Sequence, residues 1–242
     1  MVAKYIERVT PKFLVYTMYC GEFDFNHCVR AIASQRDVEV KHEVVSYLPE
    51  MEAHNVVYQA FNAAGPEWYR AKIDADVELL DDRVLQRAAQ RFRELPLAHG
   101  ISPLVHDYLS DSEIHAGVNF YTHHVGFDVQ KDNLRCDRGM VFRESEHWLG
   151  GDMPVVGKHM HHCNELAAFR YGFHRGMKGQ ISIRDKVKVA SEKHVADTRN
   201  HLRALALKGF DVGLSANRNI GHNYGDSDLM DAFKRATAQG SQ

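Results

Sequence analysis

Asp74 and Asp76 stand one residue apart at the end of a short apolar run, within Arg70-Ala71-Lys72-Ile73-Asp74-Ala75-Asp76-Val77. In a β-strand, residues i and i+2 point the same way, so the pair would aim two hard oxygen donors at one point. That geometry suits Mn2+ or Mg2+ carrying a phosphate. A second dense stretch runs from Pro154 to Cys163 and holds His159, His161 and His162. Read as a strand, it puts Val155, Gly157, His159 and His161 on one face and His162 on the other. A neutral imidazole is a good ligand for manganese or zinc. Ordinary surface or core histidines are the competing reading, and a separate zinc site on His159, His161 or Cys163 is a third. Just downstream, Arg170, His174 and Lys178 recur at i, i+4 and i+8 of a helix. They form a basic ridge that either neutralises a departing diphosphate or faces solvent.

The elements that must position these groups alternate between strand and helix. Residues 12–19 read as a β-branched and aromatic strand broken by Gly21-Glu22. Asp24 is placed as the N-cap of a helix over 25–35, whose apolar stripe is Phe25, Cys28, Val29 and Ile32. A strand over 40–47, a helix over 50–61, a strand over 68–74 and a helix over 81–92 follow. Strands joined by helices of this length imply parallel β-α-β units, with ligands bound at the strands' carboxyl ends. Thr17-Met18-Tyr19, Ser46-Tyr47 and Asp74-Ala75-Asp76 would then open on one crevice. From Leu97 the chain reads as loop-rich with at most one short helix, then strands over 115–123 and 138–143. A helix over 165–177 buries Leu166, Phe169, Phe173 and Met177, and one long helix spans 184–207. A turn-rich tail with Asn217, Asn219, Gly221, Asn223 and Gly225 leads to a short helix after Ser227.

This order of residues resembles GT-A glycosyltransferases of the family-two type. The likeness rests on Phe13 to Tyr19, Ala31-Ile32-Ala33-Ser34-Gln35, His54-Asn55, Ala64-Gly65 and Tyr69 to Asp76, and covers roughly the first 95 residues. It implies an α/β, Rossmann-like nucleotide-sugar-binding fold with a mainly parallel sheet, a loop-rich acceptor region and C-terminal helices. Residues 1–242 would form one domain: a nucleotide-sugar half over 1–95, an acceptor and metal half over 96–180, and a helical extension over 181–242. By the resemblance, Thr17, Tyr19 and Glu22 hold the base and ribose. Asp74 and Asp76 bind the ribose and the diphosphate metal, and His159, ahead of His161, is the third metal ligand. The donor would be a nucleoside-diphosphate sugar, UDP-linked by preference, and the acceptor an unidentified hydroxyl. Asp152, after Gly150-Gly151, is the positional choice of base, with Glu144 and Glu146 flanking the same region. The chain departs from the family at the end of the second strand, where Val45-Ser46-Tyr47 replaces the usual base-gripping aspartate, and in lacking the usual Glu-Asp pair.

Composition is that of an ordinary globular enzyme. The chain has 242 residues, 44% hydrophobic and 26% charged, with a net charge of -2 that gives no global attraction to nucleic acid or anionic membranes. No run approaches the ~18 apolar residues of a membrane span, and Glu7, Arg8 and Lys12 interrupt any secretory leader. Four scattered cysteines read as reduced thiols, so a cytoplasmic protein is expected. A zinc hydrolase built on the histidines and a non-catalytic GT-A-like binding protein are the alternatives. A ligating His159 implies nearly unchanged metal-free stability on His159→Ala and metal binding that weakens below about pH 6.5.

Overall fold

The computed structural model describes residues 9–132, 134–142, 147–150, 153–216 and 226–238. Its first strand, β1 (Lys12–Tyr19), runs parallel to β2 (Glu39–Ser46) on one side and β3 (Trp68–Ile73) on the other. Alternation along β1 sorts the core into two layers. Phe13 and Val15 face Cys28 and Ile32 of α1 (Phe25–Ala33) and Leu85, Ala88 and Phe92 of α3 (Val84–Glu94). Leu14 faces Val57, Tyr58 and Phe61 of α2 (Glu50–Ala63). The β-α-β alternation therefore holds, and the chain has the expected α/β fold, a mainly parallel sheet covered by helices.

The sheet draws on both sides of residue 95. Beyond β3 lie β8 (Val118–Tyr121), β5 (Ala98–Ser102) and β11 (His147–Gly150), in the order β11-β5-β8-β3-β1-β2. Only β8 runs against the others. A second sheet, ordered β4-β12-β6-β7, joins β4 (Val77–Leu79), β12 (Gly157–His159), β6 (Val105–Asp107) and β7 (Ser112–Ile114). β9 (Val125–Phe127) and β10 (Met140–Phe142) pair antiparallel over α2. The segment read as loop-rich thus holds short strands: β6 and β7, at three residues each, carry too little alternation to be recognised alone, and the five-residue β5 is buried on both faces and does not alternate.

Several local expectations are corrected. Asp24 holds the N-cap position of α1 as expected, but its side chain does not cap the helix; its Oδ1 accepts from the His162 backbone N–H at 2.9 Å instead. α3 starts at Val84 because the Asp81 carboxylate holds the Arg83 N–H and the Arg87 guanidinium, forming a turn where the helix was expected. The single helix over 184–207 is two, α5 (Ile181–Lys193) and α6 (Asn200–Ser215). Asp197 stabilises the break by accepting from the Arg199 N–H, the Arg203 guanidinium and the hydroxyl of Tyr108, a residue far off in sequence. α4 (Glu165–Met177) follows its predicted span, capped by the Asn164 side chain on the Ala167 N–H. Its Phe169, Phe173 and Met177 are buried as expected against Leu229 of α7 (Ser227–Ala238), while Leu166 is only half-buried. The turn-rich residues 217–225 lie outside the described residues.

α4 and α6 meet along a seam of glycines. A Cβ at Gly172 would lie 1.7 Å from the Ala206 carbonyl oxygen, and one at Gly209 would lie 2.1 Å from that of Phe169. Gly176 and Gly213 repeat the arrangement one turn on. The two backbones touch, as small residues spaced by four allow.

Candidate functional site

The carboxyl ends of β1 and β3 open on a cavity of about 330 Å³. One wall begins with a neighbouring pair of strands. His159 of β12 stands in register with Asp107 of β6 on one side and Val77 of β4 on the other. Neighbouring residues in register project to the same face, so the imidazole meets the carboxylate, with His159 Nδ1 2.6 Å from Asp107 Oδ1. Asp107 is fully buried, and its Oδ2 accepts from the Ser110 N–H at 2.8 Å, the Ser110 hydroxyl at 2.5 Å and the Tyr171 hydroxyl at 2.9 Å. Burial alone would raise this carboxyl, but His159 and the surrounding donors hold it down at about 2.

Asp76 approaches the other ring nitrogen, with Oδ2 3.5 Å from His159 Nε2. Burial would lower the imidazole, yet two flanking carboxylates, Asp76 foremost, push it up to about 10. The same pair, with Arg170 beyond it, overrides burial to hold Asp76 below the ordinary carboxylate range. Without a metal, a buried imidazolium therefore sits between two carboxylates. His159 is both a packed core residue and part of the cavity lining.

Asp74 and Asp76 both line this cavity, but not as alternate residues of one strand. β3 ends at Ile73, and Asp74-Ala75-Asp76 forms the turn that carries the chain from the large sheet into β4 of the small one. The Val77 N–H donates to the Asp74 carbonyl, and the Asp74 N–H to the carbonyl of Gly117. Gly117 has φ +69°, and a Cβ there would lie 2.5 Å from Val77, so this approach requires glycine. Asp74 Oδ1 accepts from the buried ammonium of Lys72, whose proton affinity Asp74 raises against the lowering effect of burial.

Glu22 also lines the cavity; its Oε2 accepts from the Cys20 N–H at 2.7 Å, and burial raises its carboxyl despite Arg170. Thr17 and Tyr19 do not reach the cavity lining. Both lie on the face of β1 turned to α1, where Thr17 is fully buried 3.0 Å from His42 Nε2 and Tyr19 stacks on Phe25 at 4.1 Å. Their neighbours Met18 and Cys20 line it instead. Tyr19 stays at the rim, its ring 5.3 Å from that of the exposed Tyr47. His161 is outside the site, edge-on to Tyr108, and Cys163 is buried among Leu109, Met160 and Ala168. Asp152, Glu144 and Glu146 lie outside the described residues.

α4 supplies a second wall, joined to the first through the Tyr171–Asp107 hydrogen bond. The expected ridge of Arg170, His174 and Lys178 lines the cavity, joined by Arg175. Arg170 and His174 reach Glu50 at 4.0 and 3.9 Å, and Lys178 reaches Asp137 at 3.4 Å. Sequence reasoning missed Asp107 as a functional residue. Its only local signal was an acid closing Val105-His106-Asp107, and the pairing that gives it meaning spans 52 residues.

The acidic wall presents donors of the kind a divalent cation takes, although the donor atoms of Asp74, Asp76 and His159 do not all lie within 4.8 Å of one another. Asp76 Oδ1 is buried and meets no hydrogen-bond donor among the described residues. An imidazole bonded through Nδ1 to one carboxylate, Asp107, with Nε2 facing a second, Asp76, matches a metal ligand and its supporting partner.

Neither a protein-family profile nor a curated protein matches the sequence. Among solved structures the chain is similar to a mannosyltransferase from Pyrobaculum calidifontis in complex with GDP-Man and Mn2+. The identity is 12%, over 94% of this chain and 80% of that one, with a TM-score of 0.41.

Proposed function

We propose that this chain is a metal-dependent glycosyltransferase that moves a sugar from a nucleoside-diphosphate sugar to a hydroxyl acceptor. The observation that carries the reading is the gathering of acidic and basic side chains in one cavity at the carboxyl ends of parallel strands. Asp74, Asp76 and His159 stand on one wall, and Arg170, His174 and Lys178 on the other. Breaking the bond between an anomeric carbon and a diphosphate oxygen leaves a multiply charged leaving group beside a cationic sugar centre. Such a reaction needs positive charge at the diphosphate and a base at the acceptor.

Asp74, Asp76 and His159 would hold Mn2+ or Mg2+, which when bound supplies positive charge to the diphosphate oxygens. The chain's own groups do the rest. Asp107 keeps the Nδ1 proton of His159 in place, so the lone pair exposed on deprotonation is that of Nε2, on the cavity side. The helix α4 directs its cations at the leaving diphosphate, the electrostatic help that develops with the departing charge. Tyr19, Tyr47 and Phe25 form an aromatic rim at the ends of β1 and β2, a place for a base to stack where the aspartate of the resembling family is absent. UDP is the preferred nucleotide, and Glu22 would meet the ribose. Asp152 is the proposed acceptor base, by its place in the chain just ahead of the His159 strand.

The test is a panel of nucleotide sugars incubated with the full chain and Mn2+, read as release of free nucleoside diphosphate. One donor is expected to turn over, with release falling at least ~100-fold in Asp76→Asn. Equal release by wild type and Asp76→Asn overturns the reading.

A further inference from the structure

Outside this cavity, three side chains from separate elements converge on one point: His27 of α1, Glu78 of β4 and His162 in the turn after β12. We propose that they form a second metal site, selective for a borderline ion, zinc by preference, and distinct from the oxygen-rich site at Asp74 and Asp76.

The geometry is that of ligands gathered around a gap. The two imidazole rings stack at 4.1 Å and 21°. His27 Nδ1 lies 3.9 Å from one Glu78 carboxylate oxygen, and His162 Nε2 lies 3.7 Å from the other. Both separations are too long for hydrogen bonds. One donor atom from each residue lies within 4.8 Å of the others. On a tetrahedral zinc with bonds of about 2.0–2.2 Å, donors stand about 3.3–3.5 Å apart, a closure of a few tenths of an ångström for either carboxylate contact.

The chemistry of the set favours zinc over magnesium or manganese. Two neutral imidazoles and one carboxylate are the donors of a borderline ion, whereas magnesium prefers oxygen and several retained waters. Each side chain is about one-third exposed, at 36%, 31% and 34% for His27, Glu78 and His162, so an ion can enter and a fourth position stays open to water. The cluster is also held before any ion arrives. The His162 N–H donates to the buried Asp24 at the start of α1, tying the turn to the helix that bears His27. An ion here would join α1, β4 and the turn after β12. Glu78 lies two residues from Asp76, and His162 three from His159, so the ion would clamp the strands that carry the cavity's acidic wall.

The experiment uses the full chain without a histidine tag, stripped of metal and titrated with zinc against a chromophoric chelator. Visible absorption on cobalt substitution reports the coordination. His27→Ala, Glu78→Gln and His162→Ala are compared with Asp76→Asn. A zinc equivalent that survives Asp76→Asn, with an intense four-coordinate cobalt spectrum, is expected. His27→Ala and His162→Ala should each weaken it by more than the ~100-fold that losing an outer partner costs. If His162→Ala fails to fold, His27→Ala on the partly exposed face of α1 carries the comparison. Zinc affinity unchanged in all folded variants, or lost only in Asp76→Asn, overturns the site. Either result leaves donor turnover by the main cavity as a separate measurement.

Discussion

The two walls of the cavity achieve opposite charge by opposite means. On the acidic wall every group is held by side-chain bonds: Asp107 takes four donors, His159 lies between two carboxylates, and Asp74 pairs with Lys72. On the basic wall the ion pairs are longer, and alignment comes from the seat of α4 on α6, where backbone meets backbone at the glycines. The first wall is fixed residue by residue. The second is fixed as a whole helix, so its cations share one position and adjust by side-chain rotation. For the proposed reaction, a rigid wall suits a cation of constant radius and a compliant one a leaving group of changing charge.

The largest effect should come from breaking the rigid wall. His159→Ala leaves two buried carboxylates without their imidazolium, so metal-free stability should fall by about 3–5 kcal/mol, measured by urea unfolding. Mn2+ binding should be lost as well, which means the expectation of unchanged metal-free stability for a ligating histidine does not survive the structure. A loss below about 1 kcal/mol would show that the two carboxylates do not depend on the ring.

Next in size is the pH dependence of the same wall. The pKa of His159 is raised from about 6.5 to about 10 on folding, so its contribution to metal-free stability is complete below about pH 6.5 and is lost as pH rises through about 10. Metal must displace that proton. Mn2+ affinity should therefore climb about 100-fold between pH 6.5 and 8.5, measured by calorimetry, where an unperturbed imidazole would have levelled off. This moves the window upward from the pH of about 6.5 expected of a free ring. A plateau by pH 7 would place the ring's proton affinity near its ordinary value.

The smallest of the three tests the compliant wall. In Gly209→Ala the new methyl meets the Phe169 carbonyl, so the helices must separate at a cost of about 1–3 kcal/mol. Because Arg170 and His174 move with α4, the KM for the donor should rise by a larger factor than the Mn2+ affinity falls, the Tyr171–Asp107 bond carrying only part of the shift to the other wall. Equal damage to both would mean that the walls are not independently positioned.

The contrast between the walls also explains what could be read from the chain alone. α4 was legible down to its ends and its basic ridge, because the pattern is local and repeats every turn. The first three strands and helices were legible for the same reason, since Phe13, Leu14 and Val15 already alternate between the two core layers. The acidic wall was half legible. Asp74, Asp76 and His159 stood out by type and spacing, but the reason given for the aspartates, alternation along one strand, was wrong, and Asp107 was invisible. Its role exists only once β6 pairs with β12, a contact no periodicity encodes. Thr17 and Tyr19 were assigned by the resemblance, and alternation along the strand sent Met18 and Cys20 to the cavity lining in their place. The break between α5 and α6 went unseen because no glycine or proline marks it; Asp197 makes it through a partner 89 residues away.

The turn at Asp74-Ala75-Asp76 belongs to both sheets at once. Asp74 directly follows β3 of the large sheet, and Asp76 directly precedes β4, the first strand of the small one in chain order. Ala75, buried between them, is the whole covalent span, so their Cα atoms can never stand more than about 7 Å apart. The reach from one acid's backbone to the other's is thus capped by bond lengths and insulated from any slippage of one sheet against the other. The long segments on either side can gain or lose residues without altering it, whereas a single residue inserted at position 75 would let the two acids drift out of common reach.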